Sequence, residues 1–279
     1  MTVKIVTDSL GDLPADIVKK LDISIIPIHV LFGTESFRDG VDLTNEQFYA
    51  KLVNSKTTPT TAVPSLGSFI DVFEESAKNA DEILTILVSH KLSGIFDTAT
   101  KAAQMVKTKA RIKVIDSINV IMGEGLLTIK AAEMAKAGNS LDKITQYIQS
   151  NIQRIESRMA FDTLEYLKKG GRIGAAQAFL GSLLKINPIL GLKDGEVYPL
   201  SRERSRARSI EALYNWALTY RKIEAIAIED ATTPDEASQL ADRLKKRYPD
   251  IPFYHAKVGA VIGAHVGPSV IAISILGDK

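Results

Sequence analysis

Cysteine is absent from the 279 residues, which excludes disulfides, thiolate metal sites and a cysteine nucleophile. Histidine is sparse. His29, His90, His255 and His265 lie far apart, with no HExxH or paired-ligand spacing, so a zinc centre has no support. An excess of one charge is also missing: 35 lysines and arginines against 33 acidic residues leave a formal net charge of +2, without the basic bias of a nucleic-acid binder. No apolar run approaches the roughly 18 residues of a membrane span. Met1 leads directly into the strand-like stretch 3–6 without the basic and long apolar regions of a secretory signal, and the expected location is cytoplasmic. Neither a G-x-S-x-G elbow nor a P-loop ending in Lys-Ser/Thr occurs.

What remains is globular: 45% hydrophobic and 24% charged residues, over about twice the usual domain length, so two domains are expected. In the first half, three β-branched runs (3–6, 83–88 and 112–115) each end in a polar turn and pass into a helical pattern, the rhythm of βαβ units. The turns are Thr7-Asp8-Ser9, Ser89 to Gly94, and Asp116-Ser117. A fourth strand is expected at 23–30, and helices at 14–20, 68–78, 95–106, 123–137 and 141–152. Ligands of such sheets bind beyond the carboxyl ends of the strands, so the three turns mark one site edge.

The second half reads as α+β. Helices are expected at 163–169, 175–185 and 209–221, and a further one opening at Thr233-Pro234-Asp235-Glu236 with a capping box and Pro at N1. Strands at 189–192 and 196–200 flank the hairpin signal Lys193-Asp194-Gly195, and 223–228, 253–256 and 270–276 complete an antiparallel or mixed sheet. The predicted division is 1–155 and 156–279.

Ser93-Gly94 stands where a buried strand gives way to a helix. It is either a plain N-cap or, with nearby N–H groups, a holder for a carboxylate or phosphate. The hydroxyl-rich loop Thr57 to Thr61 offers further donors or is simply a turn. His265 sits in the glycine-rich stretch 259–268, read as a loop, and is equally a solvated histidine or a ligand contact. Asp8 and Asp116 suit either acid/base work or Asx-turns. Ser93, His265 and one of these aspartates nominally compose a hydrolase triad, which keeps a serine-dependent acyl hydrolase as the alternative from another class. Arg202, Arg204, Arg206 and Arg208 crowd a helix start, where cations oppose the dipole; they suit an acidic or phosphorylated partner, or a solvated charged segment. The segment Lys168 to Gly174 has the glycines and cations of an anion cradle but no buried strand before it. Its glycines read better as the end of one helix and a sharp entry into the apolar run 175–190, with Arg172 turned towards a partner or membrane surface. Phe179, Leu180, Leu183, Leu184 and Ile186 are candidate tunnel or lid residues, with ordinary core as the other reading.

In order, Thr7-Asp8-Ser9 with Asp12-Leu13-Pro14, Pro64-Ser65, Leu92-Ser93-Gly94, Val114-Ile115-Asp116-Ser117, Gly123-x-Gly125, Leu164 to Leu167 with Gly170 to Ile173, and Gly263 to Pro268 resemble the DegV family over essentially the whole chain. That family includes the FakB fatty-acid-binding subunits of bacterial fatty acid kinase. The resemblance implies a two-domain DegV-like α/β fold: an N-terminal parallel-sheet α/β/α domain and a C-terminal α+β domain, with a fatty acid between them. It implies no catalysis by this chain alone and no cofactor. A FakA-like kinase phosphorylates the bound carboxylate to an acyl phosphate destined for phospholipid synthesis, and a transient membrane surface is a further expected partner; nucleic acid is not. Carried over by position, Thr61, Ser93, Gly94 and His265 form the ligand-binding set, while Arg172 and Arg204 lie outside the head-group contacts and serve kinase docking or transfer.

Several positions depart from the pattern. Where the family usually reads Thr-Ser-Gln-Pro-Ser or a close variant, this chain has Thr61-Ala62-Val63-Pro64-Ser65, with one hydroxyl donor fewer. Ile118, Asn119 and Ile121 replace small or hydroxyl residues, and Glu124 stands where an apolar residue is common. All bear on ligand choice.

Overall fold

The structure, a computed structural model, describes residues 2–180 and 186–279. All six residues of the strand Glu82–Leu87 are buried, the pattern of a parallel strand covered on both faces rather than an amphipathic edge. Numbering strands and helices in chain order, β1 (Val3–Asp8), β2 (Ser24–Ile26), β6 (Glu82–Leu87) and β7 (Arg111–Asp116) form a parallel sheet in the order β2-β1-β6-β7. The helices α1 (Ala15–Leu21), α3 (Leu66–Ala77), α4 (Ile95–Met105), α5 (Met122–Lys136) and α6 (Leu141–Asn151) fall within a residue or two of expectation.

The single strand expected at 23–30 is instead two. Pro27, which has no N–H to donate, lies between β2 and β3 (His29–Phe32). β3 leaves the parallel sheet and joins β4 (Glu35–Arg38) and β5 (Thr60–Ala62) in a small antiparallel sheet, with Val30 opposite Thr61. The Thr57 to Thr61 segment therefore ends in a strand. Between them, α2 (Asn45–Asn54) carries a capping box of Thr44 and Gln47.

The second half forms a six-stranded mixed sheet, β10-β9-β8-β13-β11-β12. Its strands are β8 (Ile155–Ala160), β9 (Asn187–Lys193), β10 (Glu196–Glu203), β11 (Lys222–Asp230), β12 (Phe253–Lys257) and β13 (Ile271–Asp278), and β9 and β10 form the expected hairpin. The helices are α7 (Glu165–Lys169), α8 (Arg206–Ala217), α9 (Pro234–Arg247) and α10 (Ala260–Val266). Three local expectations fail. Pro234 takes the first helical position, but Thr233 forms no side-chain cap: its hydroxyl accepts from Arg206 Nη2 at 3.3 Å, while its N–H donates to Asp230 Oδ2 at 2.9 Å. The expected helix 175–185 is a 3₁₀ segment, Gly174–Phe179, over its described part, entered with Gly174 at φ +48°. Residues 181–185, with the candidates Leu183 and Leu184, lie outside the described residues. His265 is on the short helix α10, not in a loop.

The parallel and mixed sheets share α5. Its residues from Met122 to Ile129 are all buried, because one face packs on β1 and β6 and the other on β8, β11 and β13.

Candidate functional site

At the carboxyl ends of the parallel strands the polar turns do meet. Asp8 accepts the N–H of Leu10 at 2.8 Å and of Val88 at 3.0 Å, tying β1 to β6. Its burial pushes the carboxyl up to about 7, opposed by those two N–H groups. Asp116 accepts the N–H of Ile118 at 2.9 Å and pairs with the His90 imidazole, an Asx-type arrangement at the end of β7.

Against this edge lies an apolar cavity with about 90 Å³ of free volume. Leu10, Val88, Ile121 and Ala62 line it from the first half, and Met159, Phe161, Val197 and Ile262 from the second. Thr61, Ser93, His265 and Arg172 line it too. Thr61 Oγ1 lies 3.0 Å from His265 Nε2, across the gap between β5 and α10. Arg172 donates from Nε to Leu92 O at 3.2 Å, beside Ser93, and from Nη1 to Gly170 O at 2.8 Å. It is the one charged side chain among the described lining residues, and among the described residues no carboxylate pairs with it.

The histidine is mostly buried, and desolvation together with the Arg172 charge pushes its imidazole down to about 4. It is therefore neutral at physiological pH, and its Nδ1 has no hydrogen-bond partner among the described residues. Gly170 explains how the ring fits: a Cβ there would stand 2.2 Å from His265 Nδ1. Gly267, at φ +81°, likewise lets the Tyr166 ring of α7 pack where a Cβ would meet it at 2.4 Å. The glycine motif after α7 is thus cut to the shape of the histidine helix.

Ser93 is not a helix cap. Gly94 occupies the N-cap of α4, where its carbonyl accepts from Thr98, and the Ser93 hydroxyl makes no hydrogen bond among the described residues. A hydroxyl without a local structural partner at a cavity wall is available to a ligand. Arg172, expected outside the head-group contacts, lines the cavity, because the turn Gly170–Gly171 folds it back over Leu92. Arg204 is exposed between β10 and α8 and does not line the cavity. Arg206 is committed to Glu236 at 2.7 Å and to Ser269 O, and Arg202 stacks over Phe179 at 4.2 Å, so two of that arginine cluster serve internal packing.

Among the described residues no hydrolase triad is assembled. His265 Nε2 faces Thr61 rather than Ser93, no carboxylate among the described residues orients Nδ1, and Asp8 and Asp116 are engaged elsewhere. Among the described residues, no group of three or more histidine, aspartate or glutamate side chains is placed to hold a metal ion. Of the unusual positions, Ala62, Val63 and Ile121 line the cavity, whereas Glu124 faces Thr7 inside the core.

The family model described as "Uncharacterised protein, DegV family" matches residues 2–278. The chain belongs to the DegV family. It is 31% identical over 278 residues to Protein DegV of Bacillus subtilis, covering 98% of each chain, and 34% identical to a DegV domain-containing protein of Caldanaerobacter subterraneus, covering 97% of each. Among solved structures, the DegV fatty acid binding protein of Bacillus subtilis superposes with a TM-score of 0.91 at 30% identity over all of both chains. A fatty-acid-binding DegV family protein of Thermus thermophilus gives 0.90 at 31% over 99% of this chain and all of that one. A stearic-acid-binding protein of Eubacterium ventriosum gives 0.90 at 25% over 99% and 98%. The two-domain α/β architecture of the DegV fold is thus common to all of them.

Proposed function

We propose that this chain binds a long-chain fatty acid between units 1–155 and 156–279, and presents its carboxylate to a partner kinase. The observation that carries the binding reading is an apolar cavity whose polar residues, Thr61, Ser93, neutral His265 and Arg172, gather together. DegV relatives that bind fatty acids support it. Burial of methylenes contributes roughly 0.8 kcal/mol each, so a long tail gains on the order of 10 kcal/mol before ordering costs. The free volume of about 90 Å³ is well below the roughly 300 Å³ of a small-molecule pocket, so the lining side chains part as the tail enters. Hydroxyls and a neutral imidazole then satisfy the head group without a fully buried ion pair, and leave a carboxylate oxygen open.

Organic extracts of the purified protein are expected to yield about one long-chain fatty acid per chain by mass spectrometry, and reproducibly empty protein would overturn the reading. Ser93→Ala is expected to weaken binding by roughly tenfold, the worth of one hydrogen bond to a charged group. Unchanged displacement of a fluorescent fatty acid would remove Ser93 from the site.

The kinase role rests on the resemblance to FakB subunits. A FakA-like kinase would transfer the γ-phosphoryl group of ATP to the carboxylate, forming an acyl phosphate and ADP, with Arg172 beside the transferred charge and Arg204 on the docking surface. With such a kinase present, Arg172→Ala is expected to slow phosphorylation at saturating ligand by at least about tenfold, as for loss of a charge that stabilises phosphoryl transfer. Arg204→Ala should leave ligand affinity unchanged while raising the kinase concentration needed. Normal phosphorylation in both variants would take the two arginines off the transfer surface.

A further inference from the structure

α10 brings Val261, Ile262, His265 and Val266 to the cavity wall from a helix of only seven residues. So short a helix does not stand alone, and its placement depends on what holds it. α2 packs beside its middle, where a Cβ on Gly263 would lie 2.6 Å from the Phe48 ring. Its start is held by carboxyls of the first half. Asp12 Oδ1 accepts the N–H of Gly259 and Asp39 Oδ1 that of Ala260, both at 3.0 Å. A Cβ on Gly259 would stand 2.7 Å from Asp12 Oδ1 and 3.2 Å from Asp39 Oδ2, so it is the bare glycine that admits both.

Of the two carboxyls, Asp39 reaches the cavity wall of the first half. It is buried directly after β4, and its own N–H donates to Ile28 O at 2.8 Å. Its Oδ2 accepts from the Ser9 hydroxyl at 3.0 Å, and that hydroxyl accepts the N–H of Ile28 at 3.2 Å. Both backbone groups of Ile28, a cavity residue next to β3, are thereby fixed to one side chain. β3 in turn pairs with β5 and sets Val30 opposite Thr61. A continuous set of hydrogen bonds therefore runs from the start of α10 through Asp39 and Ser9 to Ile28. The strands beyond Ile28 carry Thr61, whose Oγ1 lies 3.0 Å from His265 Nε2. Asp39 itself does not line the apolar cavity.

We propose that Asp39 is a positioning residue for head-group binding: it ties α10 to the Ile28 wall and so fixes the His265 ring opposite Thr61. The proposal rests on the fatty-acid reading. Without the carboxyl, the Ala260 N–H and the Ser9 hydroxyl are left buried with no acceptor, and moving α10 towards solvent relieves that cost. Asn at this position keeps an oxygen for Ala260, and its amide can donate to Ser9 Oγ, whose second lone pair is free beside the Ile28 N–H. The relay thus needs hydrogen bonds, not a charge.

The test titrates the whole chain with cis-parinaric acid. Asp39→Ala is expected to weaken binding by about tenfold, the worth of a hydrogen bond to a charged head group. Asp39→Asn should stay near wild type. In a His265→Ala background, adding Asp39→Ala should cost no more than about twofold, the margin within which independent changes add. An equal loss in both backgrounds, or an Asn variant as weak as the Ala variant, overturns the proposal. The ligand-free chain supplies a second readout, the Cε1–H resonance of His265, identified by its absence in His265→Ala. It should shift in Asp39→Ala and return in Asp39→Asn; an unmoved signal overturns the coupling. Should Asp39→Ala fail to fold, Ser9→Ala cuts the same relay at Ile28 while leaving Ala260 held. It should give the same pattern at smaller amplitude, and unchanged binding with an unchanged resonance there overturns the relay. A wild-type chain that never binds the probe refutes the fatty-acid reading, while the resonance still decides the coupling.

Discussion

Gly170→Ala is expected to weaken fatty-acid binding by about five- to a hundredfold, although residue 170 need not touch the ligand. The new Cβ would lie 2.2 Å from His265 Nδ1, closer than any real contact, so the ring or the turn after α7 must move. Overpacking of this kind costs typically 1–3 kcal/mol, and a displaced ring no longer meets Thr61. Calorimetric titration of wild type, Gly170→Ala, His265→Ala and the double variant checks it. If the effect passes through the histidine, adding Gly170→Ala to His265→Ala should cost much less than adding it to wild type. Independent, additive losses would refute the coupling.

The second large effect concerns Glu124. Fully buried, it accepts from Thr7 Oγ1 at 2.9 Å, while its other oxygen has no partner among the described residues. Burial, followed by repulsion from Asp8, holds its carboxyl well above the usual range. The folded state therefore holds a proton the unfolded state gives up near pH 4.5. Its stability contribution is complete below that pH and declines by about 1.4 kcal/mol per pH unit towards the folded value. Glu124→Gln, neutral throughout, should escape that decline. Its Tm should gain on wild type by a few degrees per pH unit between pH 5.5 and 7.5. Melting curves that run parallel across this range would show that Glu124 is not protonated in the folded chain.

Both predictions turn on contacts that no stretch of sequence displays. The parallel strands were legible because buried β-branched runs end in Asp and Ser turns, and the hairpin because Lys193-Asp194-Gly195 interrupts two apolar runs. The gathering of Thr61, Ser93 and His265 was legible through family motifs, not through spacing. The small sheet of β3, β4 and β5 was not, since strands of three or four residues such as Glu35–Arg38 offer too few alternations to register. For α2 the signal is local, Thr44 three residues before Gln47, a capping box at the helix start. The run from Gly259 to Pro268 looks like a loop because glycine is a poor helix former, yet α10 forms there with its first N–H groups held by carboxyls of the other half. Those carboxyls come from positions scattered along the chain, and only folding makes them a cluster.

The shared burial of α5 has a consequence for inheritance. A helix clothed on one side by the first sheet and on the other by the second belongs to neither half. Recombination that delivered one half to a new context would deliver either a helix with a bare apolar flank or a sheet with nothing to cover. The smallest exchangeable module is then the whole chain, and its relatives match it from end to end rather than in pieces.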